Sequence, residues 1–273
     1  MKKNILLLTT LSLSASLLLA QSSTTLSVGG TYSDGKYGTE NSSTSIYIPV
    51  TATYKNNMFE MDVTVPYIEL DSEGSFTWTP GGPVPISPTK STDYLTTDSL
   101  SDPLTSTDTN TSKTKTSGLG DINVKVAYTF VPTKGLYLKT SAIMKVATAD
   151  KDKGLGTGEN DYSAQLDIYK VLGSAYIYLS GGYTLMGDSN TTDYNNVAYG
   201  STALGYNFTP ALSSGINYSY REAIFDTLDD TQSASVYMSY KASKSFKIAT
   251  SYTYGLSDSA ADNAYTLTLS KTF

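Results

Sequence analysis

Apolar and polar residues alternate with a period of two through most of this chain, which predicts strands rather than helices. The clearest passage runs over 117–169. After Ser117-Gly118-Leu119-Gly120-Asp121, the residues Ile122, Val124, Val126, Tyr128 and Phe130 alternate with Asn123, Lys125, Ala127 and Thr129. Val131-Pro132-Thr133-Lys134-Gly135 reverses the chain. Leu136, Leu138, Ala142, Met144 and Val146 then alternate with Tyr137, Lys139, Ser141 and Lys145. Beyond a longer polar segment, Tyr162, Ala164, Leu166 and Ile168 alternate with Ser163, Gln165, Asp167 and Tyr169. Each strand has one apolar face and one polar face. The unit is a strand, a short turn, a second strand and a longer loop.

The same reading from residue 21 predicts twelve strands. Besides the three above, they lie at about 25–32, 45–54, 58–69, 175–183, 198–208, 214–221, 232–241, 246–256 and 263–273. Residues 71–117 break the period. Gly, Pro, Ser and Thr dominate there, as in Pro80-Gly81-Gly82-Pro83, and the single tryptophan, Trp78, falls within it. This segment reads as one long loop or flap rather than a linker, because the same strand pattern resumes after it.

Two features set the solvent of the apolar face. The connections alternate in length: turns after even strands are short, and those after odd strands are longer. Aromatic residues on the apolar face gather at strand ends. Tyr54, Phe59, Tyr128, Phe130, Phe208, Tyr240, Phe246 and Phe273 stand beside the short turns. Tyr32, Tyr67, Tyr162, Tyr183, Tyr220, Tyr254 and Tyr265 stand beside the long loops. Two aromatic belts and short turns at one end are what a transmembrane barrel of the outer-membrane type requires. An even strand number lets the ends meet without an exposed edge. The fold expected is therefore all-β: a single antiparallel up-and-down barrel spanning the outer membrane at 21–273.

The N-terminus supports export. Met1-Lys2-Lys3 precedes an apolar run from Ile5 to Leu19, which reads as a secretory signal at 1–20. Ala20 marks one cleavage point, and cleavage after Ser22 is the alternative. Loss of Lys2 and Lys3 takes the formal charge from -6 to -8. An acidic exported chain has no bulk attraction for nucleic acid. It has no cysteine, so neither disulfides nor thiolate metal sites hold it. Expected partners are outer-membrane lipid and lipopolysaccharide, small solutes, and the barrel-assembly machinery acting on the last strand. That strand ends at Phe273 with Leu269, Leu267 and Tyr265 on the same face.

Histidine is absent, which removes the usual general base and the commonest metal ligand. Glu60 and Asp62 share a strand face, but paired charges are ordinary in a barrel lumen, and no enzyme is expected. Gly154-Leu155-Gly156-Thr157-Gly158 lacks the helix and Lys-Ser/Thr of a phosphate loop and reads as a flexible outer hairpin loop. Asp150, Asp152 and Glu159 lack the spacing of a calcium loop. No nucleotide, metal or redox cofactor is implied.

Function is then expected on the polar, inward face. It carries Glu60, Asp62, Asp121, Lys125, Lys139, Lys145, Asp167, Arg221 and Lys247 among Ser, Thr, Asn and Tyr. Lys139 and Asp167 fall toward the same end of neighbouring strands and are placed to face each other. Such residues either fill the lumen as ion pairs or form a polar constriction that selects solutes.

Several passages resemble one family. Ser117-Gly118-Leu119-Gly120-Asp121 is similar to its "GLGD" element, and Val65-Pro66-Tyr67 to its "VPY" element. Lys145-Val146-Ala147-Thr148 with Gly154-Leu155-Gly156-Thr157-Gly158 and Asp161-Tyr162 resembles its "K-P-T-G…G-G…D-Y" passage, with Ala147 where proline is usual. The family is the outer-membrane barrels labelled as transporters of the meta-pathway of phenol degradation. The resemblance implies passive uptake of small, aromatic or hydrophobic compounds. Two other readings stand beside it: a structural or surface-interaction barrel with a filled lumen, and a channel releasing solute sideways near Pro49 and Pro66.

Overall fold

A computed structural model describes residues 22–73, 76–79, 81–85, 114–187 and 192–273. The export segment at 1–20 and the stretch 86–113 of the long loop lie outside the described residues. The strands, in order, are β1 (Ser22–Gly35), β2 (Ser43–Asn56), β3 (Phe59–Ser72), β4 (Phe76–Thr79), β5 (Gly82–Pro85), β6 (Thr114–Leu119), β7 (Ile122–Thr133), β8 (Leu136–Val146), β9 (Asp161–Leu172), β10 (Ala175–Leu185), β11 (Val197–Asn207), β12 (Leu212–Arg221), β13 (Thr231–Lys241), β14 (Phe246–Gly255) and β15 (Asn263–Thr272).

All but β4 and β5 form one antiparallel wall. β1 pairs with β2 on one side and with β15 on the other, from Thr25 opposite Thr272 to Asp34 opposite Asn263, so the wall closes. β6 and β7 both pair with β3 and are two halves of one strand, giving a twelve-stranded barrel. Between them Thr64 pairs with Asn123 and Tyr67 with Leu119, so three steps on β3 answer four on its partner. The extra residue is a bulge at Gly120-Asp121, and such bulges re-aim side chains. Pro66, opposite it, has no N–H for the ladder, but its carbonyl accepts from Gly120 N at 2.9 Å and bridges the seam. Pro49 and Pro66 are direct partners in the β2–β3 register, which runs unbroken from Thr44–Asp71 to Asn56–Phe59. Those two strands carry no gap.

The predicted alternation of connections holds. β2 and β3 are joined by Asn57-Met58, with Asn57 at φ 53 in the left-handed region that asparagine tolerates. β7–β8 and β9–β10 also turn in two residues, whereas β8–β9 and β10–β11 need long loops. Outward side chains remain open to the surroundings. Leu26, Val28, Val50, Leu166, Leu204, Ile216, Val236 and Leu267 form an exposed apolar zone. Belt residues bound it at both ends, Phe208 and Phe273 at the short-turn end and Tyr254 and Tyr265 at the other. An apolar band of this extent facing outward fits lipid, not water. This is an integral outer-membrane barrel.

The buried apolar residues do not form a central core. Tyr37, Leu70 and Phe76 cluster at the long-loop end with Ala261 beside them. Ile68, Leu155, Val197 and Ile224 are buried at the same end. The loops therefore fold inward and pack across the mouth. Here the structure departs from the sequence reading. β3 runs on to Ser72, β6 starts at Thr114, and the Gly/Pro-rich segment contains a hairpin, β4–β5. The alternation of Phe76, Thr77, Trp78 and Thr79 is too short to register as a period, and the turn at Gly81-Gly82 masks it. The Gly154–Gly158 loop is not a flexible outer loop: Gly154, Leu155, Gly156 and Thr157 are buried.

Candidate functional site

The lumen has two unlike walls. Around the β1–β15 closure, inward positions are hydroxyl residues that pair across strands. Thr25 bonds Thr272 at 2.8 Å, Ser27 donates to Ser270 at 2.8 Å, and Thr31 bonds Thr266 at 3.0 Å. Thr51 with Thr64 and Ser219 with Ser233 continue this neutral lining. Most of the charges sit on the other side, on β3, β7, β8 and β9, with Arg221 on β12 and Lys247 on β14 apart from them.

Toward the short-turn end lies an open ionic cluster. Asp62 is the direct register partner of Lys125, and their side chains meet at 2.5 Å. Glu60 lies 3.6 Å from Lys125 and 3.2 Å from Lys139. Lys139 reaches Glu60 from β8, two strands away, because the intervening Ala127 opposite Glu60 is small. The expected Lys139–Asp167 pair does not form. The two are register partners, but Lys139 turns toward Glu60. Asp167 instead accepts from Tyr178 Oη at 2.7 Å and from Gln165 Nε2 at 2.7 Å. Gln165 Oε1 in turn accepts from Tyr199 Oη at 3.0 Å.

Toward the long-loop end lies a buried triad. Lys145 is 4% exposed, Asp121 6% and Asp161 1%. Lys145 Nζ stands 2.8 Å from Asp161 Oδ2 and 3.4 Å from Asp121 Oδ2, and donates to Thr157 Oγ1 at 2.6 Å. Each carboxylate spends its other oxygen on backbone. Asp121 Oδ1 accepts from Thr148 N and Ala149 N, at 3.0 and 2.9 Å, and Asp161 Oδ1 accepts from Gly187 N at 3.0 Å. Buried charges persist only when paired and hydrogen-bonded in this way. The bulge brings Asp121 here. A Cβ on Gly156 would fall 2.5 Å from Asp121 Oδ2, so only glycine lets the loop close over the triad.

The hairpin folds into the mouth above. Trp78 stacks on Tyr47 with ring centroids 5.3 Å apart and planes 8° off parallel. Its backbone N–H donates to Gly154 O at 3.0 Å. Phe76 meets the Tyr37 ring edge-on at 6.2 Å. Gly81, at the tip, lies against the side chain of Arg221, whose guanidinium sits 5.3 Å over the Tyr199 ring. Burial raises the Tyr37 phenol pKa above its ordinary value, against the hydrogen bonds of Ser33 and Ser45.

Space remains on both sides of the charged zone. A cavity of about 630 Å3 lies beneath the hairpin, bounded by Tyr47, Trp78, Asp62, Lys125, Tyr199 and Arg221 among others. A second, about 400 Å3, opens toward the short turns and is lined by Tyr169, Tyr176, Tyr178 and Tyr237 with small residues opposite. These tyrosines form a ladder. Tyr137 and Tyr169 have centroids 6.0 Å apart, Tyr169 and Tyr176 are 5.2 Å apart, and Tyr237 Oη donates to Tyr176 Oη at 3.0 Å.

The structure thus brings Glu60, Asp62, Lys125 and Lys139 into one cluster and Asp121 and Lys145 into another. Asp167 and Arg221 are linked to each other only through Gln165 and Tyr199. Lys247 stands apart and exposed, beside a smaller space near the short turns. The sequence reading named Trp78, Thr157 and Asp161 only within the long loop and the family-like passage, and placed none of them, nor the tyrosine ladder, among the lumen candidates. Asp161 had a visible signal: it lies two residues before Ser163 and so opens the polar face of its strand. The ladder was visible only as tyrosines on polar positions.

The fold is shared with solved outer-membrane proteins. The COG4313 outer membrane channel from Pseudomonas putida F1 superposes with a TM-score of 0.70 at 13% identity, covering 93% of this chain and 97% of that one. The KdgM porin superposes at 0.54 and 10% identity, covering 91% and 99%. Among curated proteins, none matches the chain. Residues 23–273 match the family described as "Putative MetA-pathway of phenol degradation", and the chain belongs to that family.

Proposed function

We propose that this protein is a passive channel that lets small solutes cross the outer membrane through the polar, tyrosine-lined lumen. The observation that carries this reading is the pair of cavities inside the closed wall, about 630 and 400 Å3, on either side of the ionic cluster. A lumen filled by side chains would leave no such space. Family membership, together with the tyrosine ladder, favours planar or apolar solutes, since aromatic faces bind these without needing a full set of polar partners. In this reading the chemistry is permeation, and Glu60 and Asp62 are held as ion partners of Lys125 and Lys139.

Residues 1–20 serve in this reading as an export signal. Phe273, 71% exposed just beyond β15, serves as an aromatic recognised during barrel assembly, and lipopolysaccharide packs against the long-loop belt. Liposome swelling tests the solute class. Proteoliposomes, against protein-free liposomes as the baseline, are expected to swell faster in a phenolic glucoside such as arbutin, which lipid alone admits slowly, than in a disaccharide of the same osmolarity. Equal rates for all would contradict the aromatic preference, and no swelling in any would favour the filled barrel.

A further inference from the structure

The lumen cations are not equally satisfied. Lys125, Lys139 and Lys145 each stand within 4.0 Å of a carboxylate. Arg221 has no carboxylate at that distance among the described residues, and its neighbour Glu222 spends Oε2 on Ala198 N. Its Nη1 is buried and has no hydrogen-bond partner among the described residues. One face of the guanidinium lies on Tyr199, 5.3 Å from the ring centroid. The hairpin tip lies beside it, where a Cβ on Gly81 would come within 2.9 Å of Cδ and 3.1 Å of Nη1. A charged donor left unpaired in a buried place is costly, and the cost is relieved by any acceptor that reaches it.

The surroundings specify that acceptor. Arg221 lines the cavity of about 630 Å3, within the range that holds a small organic molecule. Trp78, Pro83, Pro85 and Ile224 line the same cavity and present apolar surface. The planar guanidinium fork matches a carboxylate. Multiply charged anions are disfavoured, because the carboxylates lining this cavity, Asp62, Asp121, Asp161, Glu222 and Asp229, outnumber its cations, Lys125, Lys145 and Arg221. We propose that Arg221 anchors the carboxylate of a small monocarboxylic acid whose apolar body rests against Trp78 and Tyr199. The site gives the channel a solute class beyond neutral phenols, and so rests on the channel reading.

The sole tryptophan reports on this cavity. The folded protein in detergent micelles would be titrated with hexanoate and, separately, with 1-hexanol, following Trp78 emission. Hexanoate is expected to give a saturable change and hexanol none. Arg221→Gln is expected to weaken hexanoate about tenfold or more, and Arg221→Lys, which keeps the charge but not the fork, to fall between. A saturable response to hexanol of equal strength, an unchanged affinity in either variant, or no response in the wild type would overturn the proposal. Single-channel recording on the same preparation separates the two readings. A conducting barrel blind to hexanoate defeats this site alone, and a responding barrel that never conducts defeats the channel and leaves the site.

Discussion

Lys145 and Lys139 show how burial decides what one lysine does. Lys145 holds two carboxylates that are almost wholly removed from solvent. Lys145→Met would leave Asp121 and Asp161 facing each other unpaired, at a cost of about 3–5 kcal/mol. The side chain of Lys139 is 30% exposed and makes one contact at 3.2 Å, so Lys139→Met should cost under about 1 kcal/mol. Urea midpoints for the two variants refolded in micelles check this, and equal losses would count against the triad as the anchor of the mouth. Tyr37 gives a pH test. Its pKa is raised in the folded state, so the stability it contributes is complete below about pH 10 and is lost as pH rises through the higher folded value. Because Phe76 packs on its ring, Trp78 emission should change on alkaline titration, and Tyr37→Phe should shift or remove that change. At this scale the sequence was only partly legible. Inward residues were readable from alternation, since side-chain direction is local. Their partners were not, because Lys139 crosses a strand to Glu60 and Lys145 is completed by a loop.

Among the elements, the wall strands were legible and the inward hairpin was not. Alternation along β7, β8 and β9 is imposed by lipid on one side and water on the other, so it survives in sequence. The hairpin β4–β5 answers to no such pressure. Trp78 makes its hold by one stack and one backbone bond, and the Gly/Pro turn around it looks like loop. Likewise the bulge at Gly120-Asp121 reads as the end of an ordinary glycine-rich stretch, Gly118-Leu119-Gly120, until the β3 register shows the extra residue. The hairpin narrows the mouth, so loosening it should widen the path. Trp78→Ala removes a stacking contact worth about 0.5–1.5 kcal/mol beyond its burial and should raise mean conductance. Unchanged conductance with a released hairpin, seen as faster proteolysis near residue 85, would show that the hairpin does not limit flow.

For the molecule as a whole, three gradients are superposed. Apolar zone and aromatic belts run along the outside, hydroxyl and charged walls divide the inside, and packed loops narrow one end opposite an open tyrosine-lined vestibule at the other. The division of the inside should set ion preference. Glu60→Gln leaves Lys125 with Asp62 alone and Lys139 without its carboxylate. The reversal potential in a potassium chloride gradient should therefore move toward chloride, and more so at low salt, where screening is weak. No movement would place the current path away from this cluster. For solutes to cross, the two cavities must join into a continuous path. Purified protein in a planar bilayer tests it most directly: discrete, reproducible conductance steps are predicted, and silence across salts and voltages, with the barrel shown to be folded and inserted, would contradict it.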